Sequence, residues 1–252
     1  MSASASGARH FLALSDAALL QTNSLLLVAR AIDDCVDAHA MGVVHGVAGV
    51  GKTFSLEHHL AQRPEIETIW VDSVQRPTMR RLAQELTFAL TGAKPPGGRT
   101  DMLDELVELL SDKPRLLIID EAQRLNHECI DFFRYLHDRR QTEFALILAG
   151  GNNCWEVLSR EPMLRSRVWR RVHIRPMTEQ AVLQHIPGYH PIYEGIDLEL
   201  LLWINERFAH GVLRDWAAFT RTAGALCTEQ DRELDRATVR LAFALHGGQP
   251  DD

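Results

Sequence analysis

The sequence predicts an α/β protein, a three-layer αβα core around a parallel five-stranded sheet, followed by a small all-α segment. Two observations carry that reading. Between Met41 and Pro176, short apolar runs rich in branched residues alternate with helical patterns, which calls for parallel strands joined by crossover helices. After Pro176 the strand signal stops and only helical periodicity remains.

Taken in order, residues 1–15 read as a flexible tail, and Asp16 to Ala38 as a helix through Leu19, Leu20, Leu25, Leu26, Leu27, Ala29 and Ile32. Met41 to His45 is a short buried strand, and Phe54 to Ala61 opens a helix. Glu67 to Val71 is a second strand, followed by an amphipathic helix from Thr78 to Leu90 that ends near Gly92. Pro95-Pro96-Gly97-Gly98 is a loop, and Met102 to Leu110 a further helix. Leu116 to Ile119 is a central strand, Glu128 to Arg139 a helix, Phe144 to Leu148 a strand, and Val172 to Ile174 the last strand. Helices then follow over 178–186, 197–209, 212–226 and 234–245. The expected division is tail 1–15, αβα core 16–176 and helical lid 177–252.

Gly46-Val47-Ala48-Gly49-Val50-Gly51-Lys52-Thr53 lies between the first strand and the first crossover helix, and it matches the phosphate-binding loop in full. Its glycines let successive backbone N–H groups turn inward around phosphates with no Cβ in the way. Lys52 is expected to reach the β- and γ-phosphates, Thr53 to offer a hydroxyl to Mg²⁺, and the helix start to add its positive end. The ATP site is expected to run from Gly46 to Phe54.

The run Leu116-Leu117-Ile118-Ile119 ends in Asp120-Glu121. A central parallel strand places those acids at the carboxyl edge of the sheet, where ligands of such folds bind. Asp120 can hold the Mg²⁺ through water, and Glu121 can polarise the water that attacks the γ-phosphate.

Composition narrows the remainder. With 46% hydrophobic and 24% charged residues over 252 positions, the chain has material for an ample core. Twenty-seven basic residues against 34 acidic give a net charge of −7, so any DNA contact must be a local basic surface. Cys35, Cys129, Cys154 and Cys227 lack metal or disulfide spacing and read as core residues. His45 and the His58-His59 pair, like the five tryptophans, read as structural. No apolar run approaches the roughly 18 to 20 residues of a membrane span, and the start lacks the flank of a secretory signal, so a cytoplasmic protein is expected.

A whole strand–helix unit, Glu67 to Leu90, separates the phosphate loop from the acid-ended strand, and the glutamate follows the aspartate directly. That layout resembles the AAA+ class of ATPases, and three more places match the class. Asn152, with Asn153 as the other register, falls where the class carries its sensor-one residue, which orients the attacking water. Met163 to Arg171 resembles the segment with the arginine finger, so Arg167 or Arg165 would reach the γ-phosphate of a neighbouring subunit. The same arginines, among six between Arg160 and Arg175, also fit a solvated surface. Gly211-Val212-Leu213-Arg214 matches the sensor-two helix, in which Arg214 would fold over the nucleotide. A finger supplied in trans implies an oligomer.

Thr22-Asn23, Met41-Gly42-Val43-Val44 and Asp120-Glu121-Ala122-Gln123-Arg124-Leu125 together resemble the DNA-transposition ATPases of the MuB and TnsC type. That resemblance implies ATP-driven assembly of a ring or helical filament on duplex DNA without sequence preference, and a transposase or targeting protein as partner. It places DNA contacts after the second strand, among Ser73, Gln75, Arg76, Thr78, Arg80 and Arg81. An exposed helix start capped by Thr78 reads the same residues without DNA. No extra DNA-binding domain is evident at the start of the sequence, unlike in phage relatives that carry one. The alternative function is a nucleotide switch acting on protein partners in secretion, replication or signalling.

Overall fold

A computed structural model describes residue 12, residues 14–93 and residues 99–248. The expected Pro95–Gly98 loop and most of the expected tail lie outside the described residues. In chain order the elements are α1 (Asn23–Asp37), β1 (Met41–Gly46), α2 (Lys52–Ala61), β2 (Thr68–Asp72), α3 (Met79–Thr91), α4 (Arg99–Leu109), β3 (Arg115–Asp120), α5 (His127–His137), β4 (Phe144–Gly150), α6 (Cys154–Leu158), α7 (Pro162–Arg165), β5 (Val168–Ile174), α8 (Glu179–His185), α9 (Leu198–Ile204), α10 (Leu213–Gln230) and α11 (Arg236–Leu245).

The five strands form one parallel sheet in the order β2-β3-β4-β1-β5. Burial follows position in that order. The inner strands β1 and β4 are buried along their whole length and β3 along all but its last residue, whereas edge strand β5 alternates and edge strand β2 is mostly half-buried. Helices on both faces demand this, since an inner parallel strand meets apolar surface on each side. The register places Ile119 and Val43 opposite Leu148, so β1, β3 and β4 finish at one edge.

The described residues fall into two compact units. One comprises Leu27–Ala48 and Ser55–Ile174; the other takes the chain up to Leu26, Gly49–Phe54 and the chain from Arg175 onward. The first unit is built on the sheet, with Leu82, Leu86, Leu106, Leu117, Ile119, Phe133 and Leu146 among its buried residues. The second has a core of Val182, Tyr193, Leu201, Trp216, Phe219 and Phe243. There Tyr193 and Thr220 share a buried hydroxyl hydrogen bond of 2.8 Å, and the Tyr193 and Trp216 rings meet edge to face.

Three elements differ from expectation. The first helix begins at Asn23, not Asp16. Thr22 caps it, its hydroxyl oxygen accepting the Leu25 N–H at 3.3 Å, while Leu14, Ala17 and Leu20 pack on the core of the second unit. Apolar spacing that imitates a helix is thus used by an extended segment, which is also tied by the Ala18 N–H to the Tyr189 carbonyl. The last strand is longer than expected and takes in Trp169, Arg170 and Arg171. Arg170 is held there by Asp34 at 2.7 Å and lies over the Trp169 ring. The helix expected over 197–209 ends as α at Ile204 and finishes in a π turn, Asn205–Ala209.

Helix ends follow local chemistry. The Asn126 side chain accepts the Cys129 N–H at 2.9 Å and donates to the Pro77 carbonyl at 3.1 Å, joining the start of α5 to the segment before α3. Asn126→Ala is expected to lower stability by about 1 kcal/mol, since it removes a cap and leaves the Pro77 carbonyl with only the weak Cys129 thiol donor. A urea midpoint equal to wild type would contradict that role.

Candidate nucleotide site

The phosphate loop leaves β1 at Gly46 and enters α2 at Lys52. Gly49 and Gly51 have φ of 82° and 92°, a region open to glycine and strained for other residues, so the turn needs both. Val50 is buried and anchors the loop, whereas Lys52 is half-buried and Thr53 exposed at the first turn of the helix. Phe54 is half-buried in that turn. This is the geometry an anion needs: a glycine-rich bend of backbone followed at once by a helix N-terminus.

In the sheet-based unit, β3 is one strand removed from β1, with β4 between them. At a strand spacing near 4.8 Å, Asp120 ends its strand about 10 Å from the line of β1, at the same edge. The Asp120 carboxylate accepts the Glu121 N–H at 2.7 Å. Glu121 itself is left-handed, with φ 55° and ψ 35°, and turns the chain into a single 3₁₀ turn, Ala122–Arg124. Its Oε2 accepts from Gln123 Nε2 at 2.7 Å and pairs with the Arg124 guanidinium at 3.1 Å.

Asn152 and Asn153 are both exposed in the turn between β4 and α6. The amide that meets Glu121 is Gln123, whose Oε1 also accepts the Gly151 N–H at 2.8 Å. The only signal for it in the sequence is position: an amide two residues past the acid, within one tight turn.

Arg165 and Arg167 part company. Arg167 on the approach to β5 is held by Asp138 through Nε at 2.6 Å and Nη2 at 2.8 Å, and also donates to the Met163 carbonyl. Arg165, the last residue of α7, is exposed and takes no ion pair among the described residues. The partner of Arg167 lies 29 residues away, on the far side of β4, which sequence spacing could not reveal.

In the second unit, the corner before α10 meets the phosphate loop through the main chain. The Arg214 N–H donates to the Gly49 carbonyl at 3.0 Å, and the Arg214 side chain is exposed. Asn205, buried in the π turn, steadies this corner by accepting the Gly211 N–H at 2.7 Å, while the Gly211 carbonyl accepts the Met177 N–H at 2.8 Å. Asn205 was not foreseen.

The proposed DNA segment follows edge strand β2. Arg76, with φ 53°, and Arg80 are exposed. Thr78 caps α3 by accepting the Arg81 N–H at 3.2 Å, and the Arg81 guanidinium pairs with Glu85 at 2.5 Å. Ser73 is buried.

Cys35, Cys129 and Cys154 are buried, and burial pushes the Cys35 thiol up to about 12, so it is inert. His45 is buried and stacks on His173 at 4.4 Å between ring centroids. No cluster of metal-binding side chains occurs among the described residues, and no helix there is long and apolar enough to cross a membrane.

The sheet order, the phosphate loop after β1 and the acid pair after β3 define the P-loop AAA+ fold. Residues 36–158 match the family model described as an AAA domain. Among solved structures, the chain is similar to the Aeropyrum pernix ORC2 protein in its ADPNP-ADP complexes, at 15% identity and TM-score 0.66 over 90% of this chain and 69% of that one. It is similar to the Aeropyrum pernix ORC1 protein in complex with DNA, at 18% identity and TM-score 0.65 over 92% of this chain and 66% of that one. The Thermotoga maritima RuvB Holliday junction branch migration motor matches at 16% identity and TM-score 0.58, over 89% of this chain and 69% of that one. At such identities the likeness is one of fold. A search of curated proteins finds no match.

Asp138 supplies a prediction. Partial burial opposes its ionisation, but the Arg167 and Arg134 guanidiniums outweigh burial and hold the carboxyl below its usual value. A depressed carboxylate contributes stability above its unfolded value, near pH 4, and loses it as pH falls through the folded value. Wild type is therefore expected to lose more stability than Arg167→Ala as pH is lowered from about 6 to about 3. Parallel urea midpoints would contradict the pair.

Proposed function

We propose that this protein binds and hydrolyses ATP, assembles as an oligomer on duplex DNA, and regulates transposition. The observation that carries the reading is that a complete phosphate loop follows β1 and the acids Asp120 and Glu121 end β3, two strands of one parallel sheet. Lys52 binds the β- and γ-phosphates. Thr53 and Asp120 would hold Mg²⁺, which neutralises charge on the phosphate oxygens. Glu121 accepts a proton from water as the water oxygen bonds to the γ-phosphorus and the bond to the β–γ bridging oxygen breaks, leaving ADP and phosphate. In this reading Asn152, on the turn after β4, orients the attacking water, and Arg214, at the start of α10, would fold over the nucleotide.

Arg165 is the better finger, since Arg167 already satisfies Asp138 in its own subunit. A guanidinium reaching into the next subunit makes each ATP site depend on assembly, which supports a ring or filament. DNA binding is supported by exposed Arg76 and Arg80, and by the fold shared with a protein solved in complex with DNA. Thr78 and Arg81 keep local roles in α3, so they add less to that surface. The transposition role, with a transposase or targeting protein as partner, rests on the resemblance of the motifs around Asp120 to Leu125.

Hydrolysis and binding separate the parts. Lys52→Ala is expected to abolish nucleotide binding, whereas Glu121→Gln keeps ATP affinity and slows turnover by about 10²-fold or more. Normal turnover in Glu121→Gln would remove Glu121 from proton transfer. Arg76→Ala with Arg80→Ala is expected to weaken duplex binding at low salt and flatten its salt dependence, with nucleotide affinity unchanged. An unaltered DNA titration would dismiss that surface, and a wild type that ignores DNA would favour a switch acting on proteins.

A further inference from the structure

Two side chains beside Glu121, Gln123 and Arg124, take no step in the proposed hydrolysis. The left-handed backbone of Glu121 folds Ala122–Arg124 back as one 3₁₀ turn, which brings Gln123 and Arg124 to the same carboxylate. Gln123 Nε2 donates to Oε2 at 2.7 Å, and the Arg124 guanidinium pairs with Oε2 at 3.1 Å. Both contacts fall on one oxygen, and neither uses Oε1.

Each partner is anchored at its other end. A backbone N–H can only donate, so the Gly151 N–H, 2.8 Å from Gln123 Oε1, fixes which way the amide faces. Arg124 Nη1 donates to the Ser73 carbonyl at 2.9 Å, and the Ser73 N–H donates to the Asp120 carbonyl at 3.0 Å. Glu121 is thus tied to the end of β4 through one neighbour and to the segment after β2 through the other. Gly150 makes room for the first tie: a Cβ there would lie 2.3 Å from Gln123 Oε1.

With side-chain exposures of 43% for Glu121 and 39% for Arg124, the ion pair adds little to stability. Its effect is on orientation. We infer that Gln123 and Arg124 are positioning residues that hold Glu121 by Oε2 and present Oε1 to the attacking water. This rests on the proposed role of Glu121 in ATP hydrolysis. It also makes the carboxylate follow the segment that holds Arg76 and Arg80, because Arg124 grips that segment's first carbonyl.

The test is steady-state phosphate release by the full chain with ATP and Mg²⁺, for wild type, Gln123→Ala, Arg124→Ala, Arg124→Lys and Glu121→Gln, beside a fluorescent-ADP titration and a melting curve. Gln123→Ala and Arg124→Ala are expected to lower kcat by about 10-fold or more, with KM, ADP affinity and Tm near wild type. In single-turnover reactions on the Glu121→Gln background, the same changes should cost nothing further, which a merely structural role would not produce. Arg124→Lys should stay below wild type, since an ammonium lacks the fork that spans both acceptors. Unchanged kcat in both alanine variants, an equal loss on the Glu121→Gln background, or full activity in Arg124→Lys would overturn the inference. Wild-type turnover in Glu121→Gln, or a wild type without turnover, would instead overturn the reading of Glu121 beneath it.

Discussion

In an all-parallel sheet every strand ends at the same edge, and the rest of this structure depends on that constraint. Burial on both faces fixes β1, β3 and β4 as the inner strands, and their register makes them finish together. The phosphate loop, the acid pair and the Gly150-Gly151 turn are the continuations of those three strands. Gly46, Asp120 and Gly150, the last residues of β1, β3 and β4, are more than 70 positions apart from first to second and yet share that edge. The apolar core supplies the energy, and the strand ends receive the chemistry.

What could be read from the sequence was whatever a local pattern encodes. The phosphate loop is contiguous, and its glycines are dictated by backbone geometry, the positive φ at Gly49 and Gly51. The strand ending in Asp120 announces itself by four buried branched residues and a carboxylate. Side-chain partnership across the fold was not legible. Nothing near Arg167 signals that Asp138 engages it, and nothing near Arg170 signals Asp34. The start of α1 was misjudged because Leu19 and Leu20 keep helical spacing in a segment that is not helical. Gln123 stands in the quoted motif, but its contact with Glu121 is not legible there because it depends on the left-handed turn at Glu121, which sequence patterns do not show.

The second unit repeats the lesson at the sensor-two position. The Gly-x-x-Arg pattern singles out the Arg214 side chain, and the backbone contributes as well, the Arg214 N–H donating to the Gly49 carbonyl. That bond depends on the corner before α10, and the corner depends on buried Asn205 and the π turn that carries it. π turns recur at functional positions because they widen one turn of helix and redirect a side chain inward. Here the redirected side chain is the one that fixes the corner.

On the proposed reading, assembly completes the ATP site and Glu121 is tied through Arg124 to the segment that holds Arg76 and Arg80. The central claim is ATP-dependent assembly on DNA. Its most direct test is electron microscopy of the purified protein with a slowly hydrolysed ATP analogue, with and without duplex DNA of arbitrary sequence. The account predicts filaments or stacked rings only when nucleotide and DNA are both present. Discrete oligomers of the same size with and without DNA would contradict it.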